Sequence, residues 1–171
     1  MEPEARPDID SYFMQLAEQV AKRANCGLPG QSRNHVGAVL VLNERVISTG
    51  YNGTPADMRN CEAGGCHRCA TEAMKGSLYD ICICVHAEEN AVVSAARHGI
   101  AIDGAVIYTT LQPCFSCAKA LLQAGISEVI YGRPWCHPMA RDNADLQADY
   151  DRLMERFPRG VRQLSDLKPA A

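Results

Sequence analysis

Apolar residues recur at helical spacing near the start of the chain, and β-rich runs follow them. Across residues 12–20 the apolar positions fall three or four residues apart, which predicts an amphipathic helix that Asp10 or Ser11 would cap. Residues 36–43 and 45–53 are rich in β-branched side chains and are separated by a turn, so they predict a β-hairpin. The chain is therefore expected to start with one helix and two paired strands.

Helical and extended patterns alternate through the second half of the chain. They predict helices at residues 86–98, 114–123 and 145–156, and strands at 105–109 and 129–131. The first of these helices carries a stripe of small side chains, which permits close packing on a sheet. Alternating strands and helices indicate an α/β fold with partly parallel strands that are covered by helices.

Residues 54–83 break this alternation, because they lose periodicity and gain Cys, Gly, Asn and Pro. About thirty irregular residues are unusual inside a compact domain, and a bound metal would explain how they are ordered. The whole chain has 171 residues, of which 47% are hydrophobic, and this suits one well-buried core. We therefore expect a single domain over residues 1–171 with an irregular insertion.

Charge and terminal composition exclude several classes of protein. The formal net charge of −3 provides no broad basic surface, so nucleic-acid binding is not expected. No apolar run approaches the roughly 20 residues that span a bilayer, and the first residues lack the features of a signal peptide. We therefore expect a cytoplasmic protein with no membrane partner. In that compartment its nine cysteines are more often metal ligands or catalytic groups than disulfides.

Two short motifs carry the clearest chemistry. His86 and Glu88 stand at the start of one predicted helix, and Cys114 and Cys117 stand at the start of the next. Cysteines three residues apart share one face of a helical turn, and a helix N-terminus favours the thiolate form that binds metal. With His86 as the third ligand, a tetrahedral Zn²⁺ would keep one position open, which distinguishes a catalytic site from a structural one.

The combination of H-x-E with P-C-x-x-C is the signature of zinc deaminases. Zinc lowers the pKa of a bound water from about 15.7 toward roughly 7, so hydroxide is available to attack a ring carbon that bears an amino group. Glu88 is the expected catalytic residue and would move the proton to the ring nitrogen and the leaving ammonia. The alternatives are a closed structural zinc site, or a non-catalytic zinc protein or single-stranded nucleic-acid binder. The intact Glu88 and the aromatic content of 6% argue against the last two.

Five segments follow one another in an order typical of one family: VGAVLV, GYNGTP, VHAEENAV, TLQPCFSC and QAGISEVIYG. Over residues 12–132 the chain thereby resembles the cytidine deaminase superfamily, and within it the deoxycytidylate (dCMP) deaminases and the similar late-competence-operon deaminases. The resemblance implies a three-layer α/β/α fold with a mixed central sheet, and conversion of dCMP to dUMP with release of ammonia. It also implies a homo-oligomer, commonly a hexamer, with dCTP and dTTP as effectors.

The resemblance also implies substrate contacts. Asn52 would bind the sugar or phosphate, although an Asn-Gly pair is equally typical of a turn. The backbone N–H groups of Ala87 and Cys114 would face the bound base. After the predicted strand at residues 129–131 the sequence departs from the family pattern. There Arg133 would pair with a phosphate, and Trp135 would either stack on a base or be a packed aromatic. The alternative substrates are therefore a free base, a nucleoside or a specialised heterocycle.

Four further cysteines, spaced C-x4-C-x2-C-x12-C, lie in the irregular insertion: Cys61, Cys66, Cys69 and Cys82. Four thiolates suit a closed tetrahedral zinc that would order the insertion. Similar deaminases carry a structural zinc in this region, and their cysteine near the end of the first helix corresponds to Cys26, which would replace one of the four. His67 is an alternative substitute, and Cys84 is expected to be a buried neighbour of the site rather than a ligand.

Overall fold

The structure of the chain is a computed structural model, and it describes residues 6–27, 35–71, 81–141 and 143–164. The helices are α1 (Ile9–Ala21), α2 (His67–Ala70), α3 (Ala87–Arg97), α4 (Phe115–Gln123) and α5 (Ala144–Met154). The strands are β1 (Gly37–Leu42), β2 (Arg45–Tyr51), β3 (Val106–Leu111), β4 (Glu128–Arg133) and β5 (Val161–Gln163). Short 3-10 turns occur at Cys61–Ala63 and Pro138–Ala140.

The strands form one mixed sheet in the order β2-β1-β3-β4-β5. β1 pairs antiparallel with β2 and with β3, whereas β3, β4 and β5 run parallel to one another. The parallel pairs are joined by crossovers through α4 and α5, as expected where strands alternate with helices. The prediction of a mixed central sheet is thus confirmed.

Successive residues of β1 point to opposite faces of the sheet. Ala38 and Leu40 pack with buried residues of α3, α4 and α5. Val39 and Val41 pack on the other face with Phe13 and further residues of α1. Each face of the sheet is therefore covered by helices, which is the expected three-layer α/β/α arrangement.

The hairpin between β1 and β2 turns at Asn43 and Glu44, as predicted. Both residues have positive φ angles, of 51° and 58°. Two such residues are typical of the tight turn whose twist matches that of paired strands. The turn sets the register next to it, with Leu42 opposite Arg45, and an irregularity between Leu40 and Val41 shifts the register along the rest of β2.

The start of α1 differs from the prediction. Asp8 is the N-cap, and its side chain accepts a hydrogen bond from the Ser11 N–H at 2.9 Å. The helix begins before its first buried residue, so the predicted caps Asp10 and Ser11 lie inside the first turn. The apolar pattern predicts which residues of a helix pack on the core, whereas the N-cap lies about one turn before the first of those residues.

α3 lies very close to β2 because the facing side chains are small. Ala87, Ala91 and Ala95 are fully buried on the face of α3 that packs on the sheet. In β2, a Cβ at Gly50 would lie 2.1 Å from the Ala87 carbonyl oxygen. The predicted stripe of small residues thus permits the approach that places the start of α3 beside the end of β2.

Two regions add to the predicted pattern. β5, which the sequence does not predict, has three residues and pairs parallel with β4, with Val161 opposite Val129. The insertion predicted at 54–83 contains α2 and one 3-10 turn, and its residues 72–80 lie outside the described part of the chain. Within the described ranges, no helix combines the length and apolar character that crossing a bilayer requires.

Candidate metal and catalytic site

The N-termini of α3 and α4 converge on one site. His86 is the N-cap of α3 and Cys114 is the N-cap of α4, and neither side chain makes a capping hydrogen bond. Their side chains lie against each other instead, with the Cys114 Sγ 3.4 Å from the His86 Nδ1. Cys117, in the first turn of α4, places its Sγ 3.4 Å from the same nitrogen. The structure thus brings together the three residues that the two motifs predict.

This His–Cys–Cys group (His86, Cys114 and Cys117) has the dimensions of a zinc site. Its three donor atoms lie within 4.8 Å of one another. Tetrahedral zinc, with Zn–N of about 2.1 Å and Zn–S of about 2.3 Å, would place nitrogen and sulfur about 3.6 Å apart. The observed separations of 3.4 Å fit that arrangement. Among the described residues the group has three members, so one tetrahedral position is left for a ligand from outside the protein.

Mutual hydrogen bonding prepares the group for a cation. The pKa of Cys114 is lowered to about 4, chiefly by its hydrogen bond with Cys117 and further by His86. The pKa of His86 is raised to about 9, chiefly by its hydrogen bond with Cys114. Cys114 therefore holds the negative charge that a zinc ligand needs, and a bound cation would take the place of the imidazole proton.

Glu88 is the buried carboxyl of the site. It lies in the first turn of α3, two residues after His86, and is 4% exposed. Burial raises its pKa to about 7, so the carboxyl can both accept and release a proton near neutral pH. The Thr109 hydroxyl of β3 lies 3.4 Å from the Glu88 Oε1 and 3.1 Å from the Leu111 carbonyl oxygen. The sequence patterns gave no sign of Thr109, because the contact arises only when α3 covers the sheet.

Asn52 is buried beside this site and already takes part in the fold. Its side-chain oxygen accepts a hydrogen bond from the Val36 N–H at 2.7 Å. The next residue, Gly53, forms an antiparallel bridge with Val85, which directly precedes His86. The structure thus holds the Gly-Tyr-Asn-Gly segment next to the metal ligand, while a substrate contact of Asn52 stays a prediction.

Trp135 belongs to an aromatic group beside α4. Its ring lies 5.7 Å from that of His137 and 5.8 Å from that of Tyr150. The Tyr150 hydroxyl donates to the Pro113 carbonyl oxygen at 2.5 Å, next to the start of α4. These contacts describe a packed aromatic, which is one of the two alternatives for Trp135. Its stacking on a base stays a prediction.

Arg133, at the end of β4, lines a different space. The cavity has a volume of about 260 Å³ and is also lined by His35, Thr110 and residues of α1. No member of the His–Cys–Cys group lines it. The structure therefore does not place Arg133 and the metal ligands in one pocket, and its contact with a phosphate stays a prediction.

Six cysteines form a second set of metal-ligating side chains, which we call the cysteine cluster: Cys26, Cys61, Cys66, Cys69, Cys82 and Cys84. In one group of four the sulfur atoms lie within 4.8 Å of one another: Cys66, Cys69, Cys82 and Cys84. A second group meets the same limit: Cys26, Cys61, Cys69 and Cys84. These sulfurs come from the segment after α1, from the insertion and from the segment before α3.

The predicted quartet differs from the groups that the fold assembles. Cys61 falls in the group with Cys26 and not in the group with Cys66 and Cys82. Cys84, expected to be a neighbour rather than a ligand, belongs to both groups. His67 lies exposed at the start of α2 and belongs to neither. The difference arises because the chain folds back on itself, so ligand sets do not follow the order of the sequence.

A three-layer α/β/α fold with His, Glu and two Cys at adjacent helix N-termini defines a deaminase-like, zinc-binding domain. Comparison with known proteins agrees with this class. The family model for the cytidine and deoxycytidylate deaminase zinc-binding region matches residues 7–133. The chain belongs to this family.

Individual relatives show which members of the family the chain is similar to. The chain is 46% identical over 126 residues to the deoxycytidylate deaminase of Schizosaccharomyces pombe, and 44% identical over 135 residues to that of Saccharomyces cerevisiae. The matches cover 74% and 79% of this chain but 37% and 41% of the two relatives, so the chain spans less than half of their length. The solved dCMP deaminase of cyanophage S-TIM5, in complex with dCMP and dUMP, is 27% identical with a TM-score of 0.66. That match covers 94% of this chain and 100% of the cyanophage chain, which confirms the fold.

Proposed function

We propose that the chain is a zinc-dependent hydrolase that deaminates dCMP to dUMP and releases ammonia. The observation that carries the proposal is the three-ligand His–Cys–Cys group with the buried carboxyl of Glu88 in the first turn of α3. The two yeast relatives are deoxycytidylate deaminases, and the cyanophage enzyme was solved with dCMP and dUMP. These similarities support a nucleotide, rather than a free base, as the substrate.

The reaction exchanges the exocyclic amino group of cytosine for an oxygen atom from water. His86, Cys114 and Cys117 would hold a zinc ion, which would supply a water acidic enough to attack the ring at neutral pH. Glu88 would take a proton from the attacking water and deliver protons to the ring nitrogen and to the departing ammonia. The C–N bond breaks and a C=O bond forms, so each dUMP formed consumes one water and releases one ammonia.

Glu88 suits both halves of this proton transfer. Because burial raises its pKa to about 7, neither the protonated nor the ionised form is strongly favoured at neutral pH. Thr109 is the proposed positioning residue, since its hydroxyl, which lies 3.1 Å from the Leu111 carbonyl oxygen, can rotate to donate to the Glu88 carboxylate 3.4 Å away. Glu88 would then be held near the metal ligands by α3 and oriented by β3.

Backbone N–H groups at the two helix starts would bind the base. The first N–H groups of a helix have no partner within it, and neither α3 nor α4 has a side-chain cap. We therefore expect the N–H groups of Ala87 and Cys114 to donate to the substrate. Asn52, whose side-chain oxygen accepts from the Val36 N–H, would contact the sugar or phosphate, as the family resemblance implies.

Arg133 is the proposed phosphate ligand, since a guanidinium pairs with phosphate through two parallel hydrogen bonds. Replacing Arg133 with Gln should raise the KM for dCMP by roughly tenfold, equivalent to about 1.4 kcal/mol. Deoxycytidine, which has no phosphate, serves as the matched substrate and should show an unchanged KM. An equal change for both substrates would exclude a contact between Arg133 and the phosphate.

We also propose one catalytic zinc ion and a separate structural zinc site in the cysteine cluster. The zinc-binding description of the family and the two sets of donor atoms support metal at both places. By family resemblance the chain forms a homo-oligomer, a hexamer, with dCTP and dTTP as effectors. Light scattering tests the assembly, and turnover with added dCTP or dTTP tests the effectors.

A substrate panel tests the proposed reaction. Ammonia release by the zinc-loaded protein is measured with dCMP, CMP, deoxycytidine, cytosine, guanine and adenine, with and without dCTP. Preference for dCMP is the expected result. Turnover of only a free base or a nucleoside would overturn the choice of a nucleotide while leaving the zinc chemistry in place. Absence of any turnover in fully zinc-loaded protein would overturn the deaminase proposal itself.

A further inference from the structure

The cysteine cluster contains more sulfur atoms than one zinc ion can bind. Tetrahedral zinc takes four ligands, whereas six cysteines meet here in two groups of four. The two groups have two members in common, Cys69 and Cys84. Two tetrahedra that share one edge need this pattern, with two common ligands and two further ligands for each centre.

We propose that the cysteine cluster holds two zinc ions bridged by the thiolates of Cys69 and Cys84. The remaining ligands are Cys26 and Cys61 for one ion, and Cys66 and Cys82 for the other. The inference extends the proposed structural zinc site from one ion to a bridged pair. It does not depend on the reaction at the His–Cys–Cys group.

The sulfur separations fit this arrangement. Four-coordinate zinc with Zn–S of about 2.3 Å places its sulfur ligands about 3.8 Å apart. The distances are 3.8 Å for Cys26–Cys69, 3.5 Å for Cys69–Cys82, 4.0 Å for Cys66–Cys82 and 4.0 Å for Cys69–Cys84. Cys69 therefore has ligand spacing to members of both groups. All six thiols are free of disulfide bonds.

Charge and burial favour two ions over one. One Zn²⁺ with four thiolates carries an excess of two negative charges, and two ions with six thiolates carry the same excess, so the second ion adds bonds without adding net charge. A single ion would leave two thiols unused in a region where Cys61 and Cys66 are 2% and 0% exposed. The Gly27 N–H donates to the Cys61 Sγ at 3.3 Å, which holds this side chain in place.

The surrounding contacts hold the ligands from separate segments together. Asn25 directly precedes Cys26, and its side-chain oxygen lies 3.2 Å from the Thr54 N and 3.4 Å from the Cys61 N. Its amide nitrogen donates to the Asn60 side chain at 3.0 Å. One side chain thus fixes the segment after α1, which supplies Cys26, against the part of the insertion that supplies Cys61. The site is built by the fold and does not rely on the spacing of the cysteines alone.

The first test counts zinc in the whole 171-residue chain after loading and dialysis under reducing conditions. Elemental analysis should find three zinc ions per chain, one from the His–Cys–Cys group and two from the cysteine cluster. The Cys117→Ala variant removes a ligand of the first group alone and should retain two. One ion in that variant, or iron in place of zinc, would overturn the bridged pair, and neither result bears on the deaminase reaction.

A matched pair of variants tests the bridge. Cys69→Ala removes a ligand from both proposed ions, so the cluster should lose both of them. Cys66→Ala leaves the other four-sulfur group complete, so the cluster should keep one ion. Equal losses in the two variants would overturn the assignment of Cys69 as a bridging ligand.

A measurement on the unmodified sequence covers the case in which these variants fail to fold. The protein is reloaded with ¹¹³Cd, and its NMR spectrum is recorded. Two resonances from thiolate-bound cadmium, coupled to each other through shared sulfur atoms, are expected. A single cluster resonance, or two resonances without mutual coupling, would overturn the proposal.

Discussion

The His–Cys–Cys group and the cysteine cluster meet at one short segment, in which Cys84 belongs to the cluster and His86 to the other group. The His–Cys–Cys group is built on the N-termini of two regular helices, has three members and lies beside the carboxyl of Glu88. The cysteine cluster is built largely on irregular segments and offers four sulfurs to each of two centres. Similar ligands are thus held in two opposite settings.

The comparison teaches that ligand number and neighbouring groups separate reaction chemistry from structural support. A site with three protein ligands keeps a position for water, and a buried carboxyl next to it can move protons. A site with four thiolates is saturated and can only hold chain segments together. Damage to one group should therefore leave the function of the other intact, and substitutions can test this separation.

Cys117→Ala is expected to have the largest effect on the His–Cys–Cys group without an effect on the cysteine cluster. Loss of one of three ligands should release the zinc ion of the His–Cys–Cys group and lower turnover to the uncatalysed background, while the cysteine cluster keeps its metal and the fold is retained. Elemental analysis, ammonia release and thermal melting measure the three effects. Cys136→Ala, at an exposed cysteine outside both groups, is the control and should change none of them. Unchanged zinc content in Cys117→Ala would contradict the assignment of Cys117 as a zinc ligand.

Glu88→Gln separates chemistry from metal binding inside the first group. The amide cannot carry the proton, so kcat should fall by about 10²–10⁴-fold, while zinc content and melting temperature are preserved. Glu89→Gln, at the exposed neighbour in the same turn of α3, is the control and should keep nearly full activity. Retained turnover in Glu88→Gln would mean that another group moves the proton.

Asn25→Ala tests whether the hydrogen bonds around the cysteine cluster hold its ligands in place. The change removes hydrogen bonds to the backbone of Thr54 and Cys61 and to the side chain of Asn60, which should cost about 1–3 kcal/mol of unfolding free energy. Zinc should leave the cluster at lower chelator concentration, and the His–Cys–Cys group should lose its zinc no more readily. Asn60→Ala removes only one of these contacts and should have the smaller effect. Equal chelator sensitivity of wild type and Asn25→Ala would contradict this role.

Thr109→Val is expected to have the smallest effect, about 1 kcal/mol or less than tenfold in kcat. A hydroxyl that donates to a carboxylate favours the ionised form, so removing it should raise the pKa of Glu88 further. The acidic limb of the profile of kcat/KM against pH should therefore move to higher pH. Thr110→Val is the control, because its hydroxyl contacts the Gly37 N–H instead. An unmoved acidic limb would exclude the positioning role of Thr109.

Local features of the fold could be predicted because local sequence determines them. The β1–β2 turn follows from Asn43 and Glu44, and the packing of α3 follows from its stripe of small residues. β5 could not be predicted, because three residues give no period and pair only where β4 offers an open edge. Elements that depend on a distant surface leave no pattern in their own residues.

The residues of the candidate site also divide into those that could be predicted from local sequence and those that could not. His86, Glu88, Cys114 and Cys117 could be found from spacing, since each motif opens a helix and the chemistry requires that placement. The members of the cysteine groups could not. Cys82 and Cys84 are two residues apart, so even a regular strand would place them on one face. Their partners come from distant segments of the chain, and no local spacing shows which of those sulfurs will meet them.

The antiparallel pairing of β1 with β3 sets Ala38 opposite Thr109, across about 70 residues of chain. The intervening loop contains most of the cysteine cluster and all of α3. Closing a loop of this length costs conformational entropy before any contact between the central strands is gained. Zinc that gathers the cysteines early would shorten the open part of the loop. Metal-free chains should therefore refold more slowly than zinc-loaded chains, even where both reach the same native sheet.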